Sequence, residues 1–341
     1  MSTSGQRQPD TKDTKDTQGA KLEEILGGVA QWTSPARPGP MRNTLLAVVV
    51  TVLSGAIAWA IAADSQRLRP EDFLPEMNQP IEPVRIIGNI YYVGTNGVSS
   101  FLIVTPEGHI LLDSGFNQSV PLIRASIGAL GFRADDIRIL LSTHAHFDHV
   151  AGHALIQAQT GAKIVASKAD AAIIARGDEA LWEGWRGSRI DRVIDDGGRV
   201  SLGGTELTAH LTPGHTKGCT TWTMTAVEGA REYSVVFVGG SGINPGVRLV
   251  GNTEYPDIAD DYARTFRVLN SITPEVFLAQ HPEIFGYEAK RRRVAAGRGE
   301  NPFIDPEGYR ARVRESAQAY RDQLGRERAQ QKKPGGAAEW R

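Results

Sequence analysis

The segment Thr-His-Ala-His-Phe-Asp-His constrains this chain more than any other part of its sequence. It follows an apolar run, Ile137–Leu141, that predicts a strand buried on most of both faces. His144 and His146 are two residues apart, so in extended backbone their side chains point the same way and can bind one metal ion. Asp148 and His149 follow as the chain turns towards a helix, where they can reach a second ion. Imidazole and carboxylate ligands suit zinc, with iron or manganese as alternatives.

Two isolated histidines are placed where they can complete two sets of three ligands. His215 lies in a turn, Pro-Gly-His-Thr-Lys-Gly, and His281 follows the predicted strand Val276–Ala279. Catalytic zinc sites usually have three protein ligands and one open position. The remaining histidines lack such a placement, and we interpret them as structural: His109, His153 and His210.

Asp113 ends the predicted strand His109–Leu112 and is followed by Ser-Gly. A carboxylate at a buried strand end is costly unless it is used. Two interpretations are open: Asp113 orients a ligand histidine or the metal-binding loop, or it is a turn residue before Gly115.

The N-terminal part of the chain differs in character from the rest. Residues 1–40 are polar and predict a disordered extension or a gene start placed too far upstream. Residues 41–62 begin with Met-Arg-Asn, continue as an apolar run and end in Ala-Ile-Ala, a pattern typical of a cleaved secretory signal. The run is also about as long as a minimal membrane span, so a membrane anchor is the alternative. The protein is therefore expected in the periplasm, either free after cleavage or anchored.

Residues 63–330 predict one domain, followed by a frayed tail at 331–341. Strands and helices alternate along it, which suits sheets packed between helices. The net charge of −1 gives no support for nucleic-acid binding, and the single cysteine, Cys219, excludes an internal disulfide. The predicted strands are Val84–Ile87, Ile90–Val93, Ser99–Thr105, His109–Leu112, Ile137–Leu141, Lys163–Ala166, Thr205–Leu211, Thr220–Thr225, Tyr233–Val238 and Val276–Ala279. The predicted helices are Ser119–Leu130, Gly152–Thr160, Lys168–Arg176, Ile258–Ile272, Glu288–Ala296 and Pro306–Gln330.

The order His-x-His-x-Asp-His, then Gly-His, then a late histidine resembles the metallo-β-lactamase superfamily. The segments Gly88–Thr95, Leu211–Trp222 and Asn244–Gly246 make the resemblance strongest to subclass B3 β-lactamases. The resemblance implies an α/β fold, a four-layer αββα sandwich with two mixed sheets and helices on the outer faces. It also implies two Zn²⁺ ions per chain, with the first bound by His144, His146 and His215, and the second by Asp148, His149 and His281.

A missing residue separates the branches of that superfamily. Glyoxalase-type hydrolases, lactonases and the related nucleases use an aspartate that bridges both metals, and here no acidic residue occurs between Tyr233 and Asn252. The cysteine that other β-lactamase subclasses use nearby is also absent, and we assign its place to Ser241. Subclass B3 lacks both groups. Some relatives have an aromatic residue after Pro-Gly, where this chain has Val247.

The resemblance implies zinc-dependent hydrolysis of the β-lactam amide of penicillins, cephalosporins and carbapenems, giving antibiotic resistance. Asp148 would orient the attacking hydroxide, and Ser241 and Asn244 would contact the substrate carboxylate. We expect a monomer without nucleic acid or a stable partner. The alternatives are an exported hydrolase of a lactone, ester or thioester, a nuclease, and a non-catalytic zinc-binding protein. Export disfavours the nuclease. The candidates for a basic face are the run at 290–293 and the Arg-rich final helix, and such runs are usually solvated helix faces.

Overall fold

The computed structural model describes residues 70–178, 185–297 and 299–332. The predictions for residues 1–40 and 41–62 lie outside this part of the chain, as do those for most of the tail at 331–341. Among the described residues, no helix is long and apolar enough to cross a membrane.

All strands but the last lie in the first two thirds of the described chain. In chain order they are β1 (Val84–Ile87), β2 (Ile90–Tyr92), β3 (Phe101–Thr105), β4 (Gly108–Leu112), β5 (Ile137–Leu141), β6 (Lys163–Ser167), β7 (Gly177–Asp178), β8 (Trp185–Arg186), β9 (Ile190–Ile194), β10 (Arg199–Leu202), β11 (Thr205–Leu211), β12 (Thr220–Glu228), β13 (Arg231–Val238) and β14 (Val276–Ala279).

The helices begin before the first strand and dominate the C-terminal third. They are α1 (Pro70–Met77), α2 (Ser119–Ala129), α3 (Phe147–Val150), α4 (His153–Thr160), α5 (Lys168–Arg176), α6 (Ile258–Ser271), α7 (Tyr287–Ala295) and α8 (Pro306–Gln331). Short 3₁₀ turns lie at Ala134–Asp136 and Pro282–Phe285.

The strands form two mixed sheets and one short hairpin. The larger sheet has the order β1-β2-β3-β4-β5-β6-β9, and the smaller has the order β10-β11-β12-β13-β14. The larger sheet is antiparallel from β1 to β4 and parallel from β4 to β9, whereas in the smaller sheet only β13 and β14 run parallel. Strands β7 and β8 pair with each other.

Alternating residues of the larger sheet divide its apolar side chains between two cores, because successive side chains on a strand point to opposite faces. On one face, Leu102 and Leu111 pack against α2 and α4. On the other face, Ile103 and Ile110 pack in the core that also contains Trp222 and residues of α6 and α8. Helices therefore cover the outer faces of two stacked sheets, and the predicted αββα sandwich is confirmed.

Four strands and two helices, α1 and the single-turn α3, were absent from the sequence prediction. Strand β9 lies at an edge of the larger sheet, with three of its five residues exposed. Its central residues, Asp191 and Arg192, break the apolar pattern that identifies buried strands. Strand β10 is likewise an edge strand of the smaller sheet, and β7 and β8 have two residues each. Helix α1 precedes the first strand and contains Pro75.

The carboxyl ends of β4 and β5 meet at one edge of the sandwich, because these neighbouring strands are parallel. Two bonds tie the segment after β5 to the other sheet at this edge. The Trp222 indole donates to the Ser142 carbonyl (3.0 Å), and the Thr220 amide donates to the Thr143 carbonyl (2.7 Å). Strand β12 of the smaller sheet thus holds the start of the histidine-rich segment at this edge.

Candidate metal centre

The structure brings the first predicted ligand set together at this edge. His144 and His146 lie on the segment after β5, and His215 lies on the loop between β11 and β12. The His144 Nε2 and His146 Nδ1 atoms are 2.9 Å apart. The His215 ring centroid is 4.7 Å from each of the other two rings, and one ligand atom from each residue lies within 4.8 Å of the others.

The second predicted set converges beside the first. Asp148 and His149 lie on the single-turn helix α3, and His281 follows β14. The Asp148 Oδ2 atom is 3.2 Å from His149 Nε2 and 3.7 Å from His281 Nε2. The two sets adjoin, since the His144 and His149 ring centroids are 4.2 Å apart. The six side chains therefore form two adjacent three-ligand pockets.

Hydrogen bonds on the far side of the rings fix which nitrogen faces each pocket. The Nδ1 atom of His215 donates to the Gly242 carbonyl (2.7 Å), and that of His281 donates to the Gly97 carbonyl (2.8 Å). Their Nε2 atoms are left for a metal ion. Such bonds orient ligand imidazoles and raise their basicity as ligands.

Asp113 supports both the histidine-rich segment and one ligand. Its carboxylate accepts hydrogen bonds from the Thr143 amide (2.7 Å), the Thr143 hydroxyl (2.7 Å) and His149 Nδ1 (3.0 Å). The Thr143 hydroxyl oxygen in turn lies 3.1 Å from His144 Nδ1. Asp113 has a φ of 60° and is the only non-glycine residue with a positive φ in the described chain. The three bonds offset the cost of that conformation, so the turn-residue and orienting interpretations both apply to it.

The protonation states of the two ligand sets differ, and both favour the binding of a cation. Burial, together with the neighbouring histidines, holds the pKa of His144 well below its usual value and lowers the pKa of His146 to about 3. Burial would also lower the pKa of His149, but the carboxylates of Asp148 and Asp113 outweigh it and raise that pKa to about 10. The first set therefore offers neutral lone pairs, and the second offers a negative carboxylate that stabilises positive charge.

An unsatisfied atom supports metal binding directly. His149 is fully buried, and its Nε2 atom has no partner with hydrogen-bond geometry although Asp148 lies near it. Buried polar atoms are rarely left unpaired. A metal ion between Asp148, His149 and His281 would satisfy this atom. The donor set, five imidazoles and one carboxylate, fits zinc in both pockets.

A residue that the sequence analysis missed connects the two loops of the first set. Asp170 is buried at the start of α5 and accepts hydrogen bonds from the backbone amides of Ala145 and Gly218. Burial, against those bonds, raises the pKa of its carboxyl to about 7. Gly218 has no room for a side chain, because a Cβ there would lie 2.3 Å from Asp170 Oδ1. An acidic residue in the first turn of a helix after Ser167 is ordinary capping chemistry, so the sequence carried no signal of this role.

Gly240 and Ser241 follow β13 and have different surroundings. A Cβ at Gly240 would lie 2.1 Å from the His215 ring, so this glycine packs against a ligand. Ser241, next along the chain, is buried with its hydroxyl 3.3 Å from that of Ser316 on α8. The contact between Ser241 and a substrate carboxylate stays a prediction.

The other predicted residues outside the two pockets have the following positions. Asn244 is exposed in the turn before Pro-Gly, and Val247 is partly buried with its carbonyl bonded to Gln323. His153 is fully buried against the Ser114 hydroxyl (2.7 Å), and His210 contacts Thr223 (2.8 Å). The contact between Asn244 and a substrate stays a prediction.

Comparison with known proteins agrees with this geometry. Residues 93–281 match the model of the metallo-beta-lactamase superfamily. The native FEZ-1 metallo-beta-lactamase from Legionella gormanii is 44% identical, with a TM-score of 0.71 over 73% of this chain and 98% of that one. BJP-1, a subclass B3 metallo-beta-lactamase of Bradyrhizobium japonicum, is 38% identical, with a TM-score of 0.70 over 75% of this chain and 98% of that one.

Curated relatives match over shorter stretches. A hydroxyacylglutathione hydrolase of Maricaulis maris is 39% identical over 77 residues, which cover 23% of this chain and 25% of that protein. A probable metallo-hydrolase of Burkholderia pseudomallei is 30% identical over 125 residues, or 40% of its length. This chain thus spans less than half of the length of these two relatives.

The chain belongs to the metallo-beta-lactamase superfamily and is a metallo-hydrolase. Its structural neighbours FEZ-1 and BJP-1 are metallo-beta-lactamases, and BJP-1 is of subclass B3.

Proposed function

We propose that this protein is a zinc β-lactamase of the B3 type, which opens the amide of β-lactam antibiotics and so confers resistance. The observation that carries the proposal is the composition of the segment after β13. No acidic residue occurs between Tyr233 and Asn252, and the residue that faces His215 is Gly240. The centre therefore has two three-ligand sets and no bridging carboxylate. The similarity to FEZ-1 over nearly its full length supports the same reading.

Two zinc ions in these pockets would supply a Lewis acid for the lactam carbonyl and a water acidic enough to ionise near neutral pH. His144, His146 and His215 are neutral, so their lone pairs are available to hold an ion. Burial would raise the pKa of Asp148, but His149 and the other histidines outweigh it and keep that carboxylate ionised. Asp148 is therefore suited both to bind metal and to accept a hydrogen bond from the attacking water.

The cysteine thiol does not compete with this route. Cys219, the only cysteine, is fully buried, and burial raises the pKa of its thiol to about 12. Its Sγ atom faces the Gly240 carbonyl at 3.5 Å. A thiol in that state does not form the thiolate needed for attack.

The second candidate is hydrolysis of a thioester, which the similarity to hydroxyacylglutathione hydrolases favours. Those matches cover about a quarter of the relative's length, and the bridging aspartate that our sequence analysis attributes to that branch is missing here. We therefore place it second. We further propose that the protein acts in the periplasm, on the strength of the signal pattern at residues 41–62. We also propose that it acts as a monomer.

The test follows the ultraviolet absorbance of a carbapenem in the presence of purified, zinc-loaded protein. We expect rapid loss of absorbance that a chelator abolishes and added zinc restores. His146→Ala, which removes one ligand of the first set, serves as the matched inactive variant. A wild-type protein that binds two zinc ions and leaves the carbapenem intact would refute the proposal.

A further inference from the structure

The chain segment before β1 contacts the loop that follows β2. We call residues 76–79, at the end of α1 and just after it, the N-terminal clamp, and residues 94–97 the clamped loop. Side-chain bonds join them at Asn96, which accepts from the Gln79 amide (2.8 Å) and donates to the Glu76 carbonyl (2.6 Å). The Thr95 hydroxyl donates to the Met77 carbonyl (2.8 Å).

Backbone bonds reinforce the same contact. The Asn96 amide donates to the Gln79 carbonyl, and the Gly97 amide donates to the Met77 carbonyl, both at 3.1 Å. The two backbones are so close at Gly97 that a Cβ there would lie 2.6 Å from the Met77 Cα and Cβ atoms. A methyl group cannot fit against backbone at that distance, so glycine is required at this position for steric reasons.

The clamped loop holds a metal ligand on its other side. The Gly97 carbonyl accepts the hydrogen bond from His281 Nδ1 at 2.8 Å. The Ser99 amide, two residues on, donates to the carbonyl of Gln280, the neighbour of His281 (2.9 Å). The same glycine thus contacts the N-terminal clamp through its amide and Cα, and a member of the second ligand set through its carbonyl.

The first ligand set has no comparable dependence on the N-terminal segment. His215 is oriented by Gly242, and His144 by Thr143. Both acceptors lie on loops at the ends of strands inside the sandwich. Displacing the clamp therefore moves the Gly97 carbonyl, which accepts from His281. It leaves the Gly242 carbonyl and the Thr143 hydroxyl in place.

We propose that the N-terminal clamp positions His281 through Gly97 and so sets the zinc affinity of the second ligand set selectively. The inference rests on the metal centre of the proposed function and does not depend on the substrate. Gly97, Asn96 and the clamp are positioning groups, because none of them lies among the six ligands. The segment that precedes β1 accordingly supports the metal centre without contributing a ligand.

The experiment measures the two zinc affinities of the full chain by competition with a chromophoric chelator, for the wild type and for Gly97→Ala. We expect the zinc affinity of the second ligand set to fall by about 10- to 100-fold, the range for loss of a group that orients a ligand. The zinc ion of the first ligand set should be retained, and His281→Ala, which removes a ligand of the second set, identifies which of the two affinities belongs to that set. Gly198→Ala is the matched control, because a Cβ there is as crowded (2.3 Å from Ile194 Cγ1) but lies in the turn between β9 and β10.

A second variant keeps the test decisive if Gly97→Ala does not fold. Asn96→Ala removes two of the clamp's bonds without placing an atom against Met77, and we expect the same selective loss in smaller degree. Unchanged affinities in both variants, or equal weakening of both zinc ions, would overturn the inference. A wild-type chain that binds no second zinc would overturn it together with the proposed metal centre. If the wild type binds both zinc ions but does not hydrolyse a β-lactam, the result counts only against the proposed substrate.

Discussion

Replacement of Asp113 by asparagine tests how the protein holds its metal ligands. The amide has nearly the same shape as the carboxylate, so packing is preserved while the charge is lost. In the wild type, Oδ1 accepts from the Thr143 amide, and Oδ2 accepts from the Thr143 hydroxyl and from His149 Nδ1. An asparagine NH₂ must occupy one of these two positions, where it faces a donor instead of serving as an acceptor.

The size of the effect follows from the number of bonds lost. With the NH₂ group in the Oδ1 position, the Thr143 amide loses its partner, and in the Oδ2 position both of the other donors do. Each hydrogen bond to a charged group contributes about 1.5–3 kcal/mol, and a buried donor without a partner adds to the loss. The free energy of unfolding of the zinc-free protein should fall by at least about 1.5 kcal/mol. Zinc affinity at the His149 pocket should fall by about 10- to 100-fold.

The assay combines denaturant unfolding of the zinc-free protein with chelator competition for zinc. Asp135→Asn is the matched control, since that carboxylate is 55% exposed and pairs with Arg124 and Arg133 far from any ligand. Surface pairs of this kind contribute little to stability. An Asp113→Asn protein with wild-type stability and wild-type zinc affinity would refute the claim that this carboxylate orients His149 and the histidine-rich segment.

Three further variants test other parts of the site. Asp170→Asn should weaken zinc binding by the first ligand set, because the asparagine NH₂ group would face the amide donor of Ala145 or of Gly218. Isothermal titration with zinc measures this affinity, and an unchanged affinity would contradict the prediction. Gly240→Ser should also weaken zinc binding by the first ligand set, because the added side chain would displace His215. Gly242→Ala is the control, since a Cβ there has nothing within 4 Å, and its zinc affinity should be unchanged. Equal zinc affinities of the two variants would contradict the prediction. Glu327→Ala should lower the thermal midpoint, because its carboxylate accepts the backbone amides at 249 and 250 (both 2.8 Å); calorimetry checks this, and an unchanged midpoint would argue against it.

The sequence was most informative where a metal-binding side chain directly follows a recognisable strand. His144 and His146 follow a buried apolar strand, and this arrangement alone predicts a metal-binding edge. His215 and His281 could be added because both follow strand signals. Their convergence depends on pairings between distant strands, such as β13 with β14, that no local pattern encodes.

Groups that act through the backbone were the hardest to predict. Asp170 contacts the site by accepting amide hydrogen bonds, and its helix is otherwise ordinary. Gly97 and Gly240 act through close approach, which becomes visible only when the neighbouring chain is in place.

The central claim is that two zinc ligand sets without a bridging carboxylate serve lactam hydrolysis. The most direct measurement compares kcat/KM of the two-zinc protein for a carbapenem and for a hydroxyacylglutathione thioester under identical conditions. The account predicts efficient, chelator-sensitive opening of the carbapenem and little thioester hydrolysis. Efficient thioester hydrolysis with an intact carbapenem would contradict it and assign this metal centre to the second candidate function.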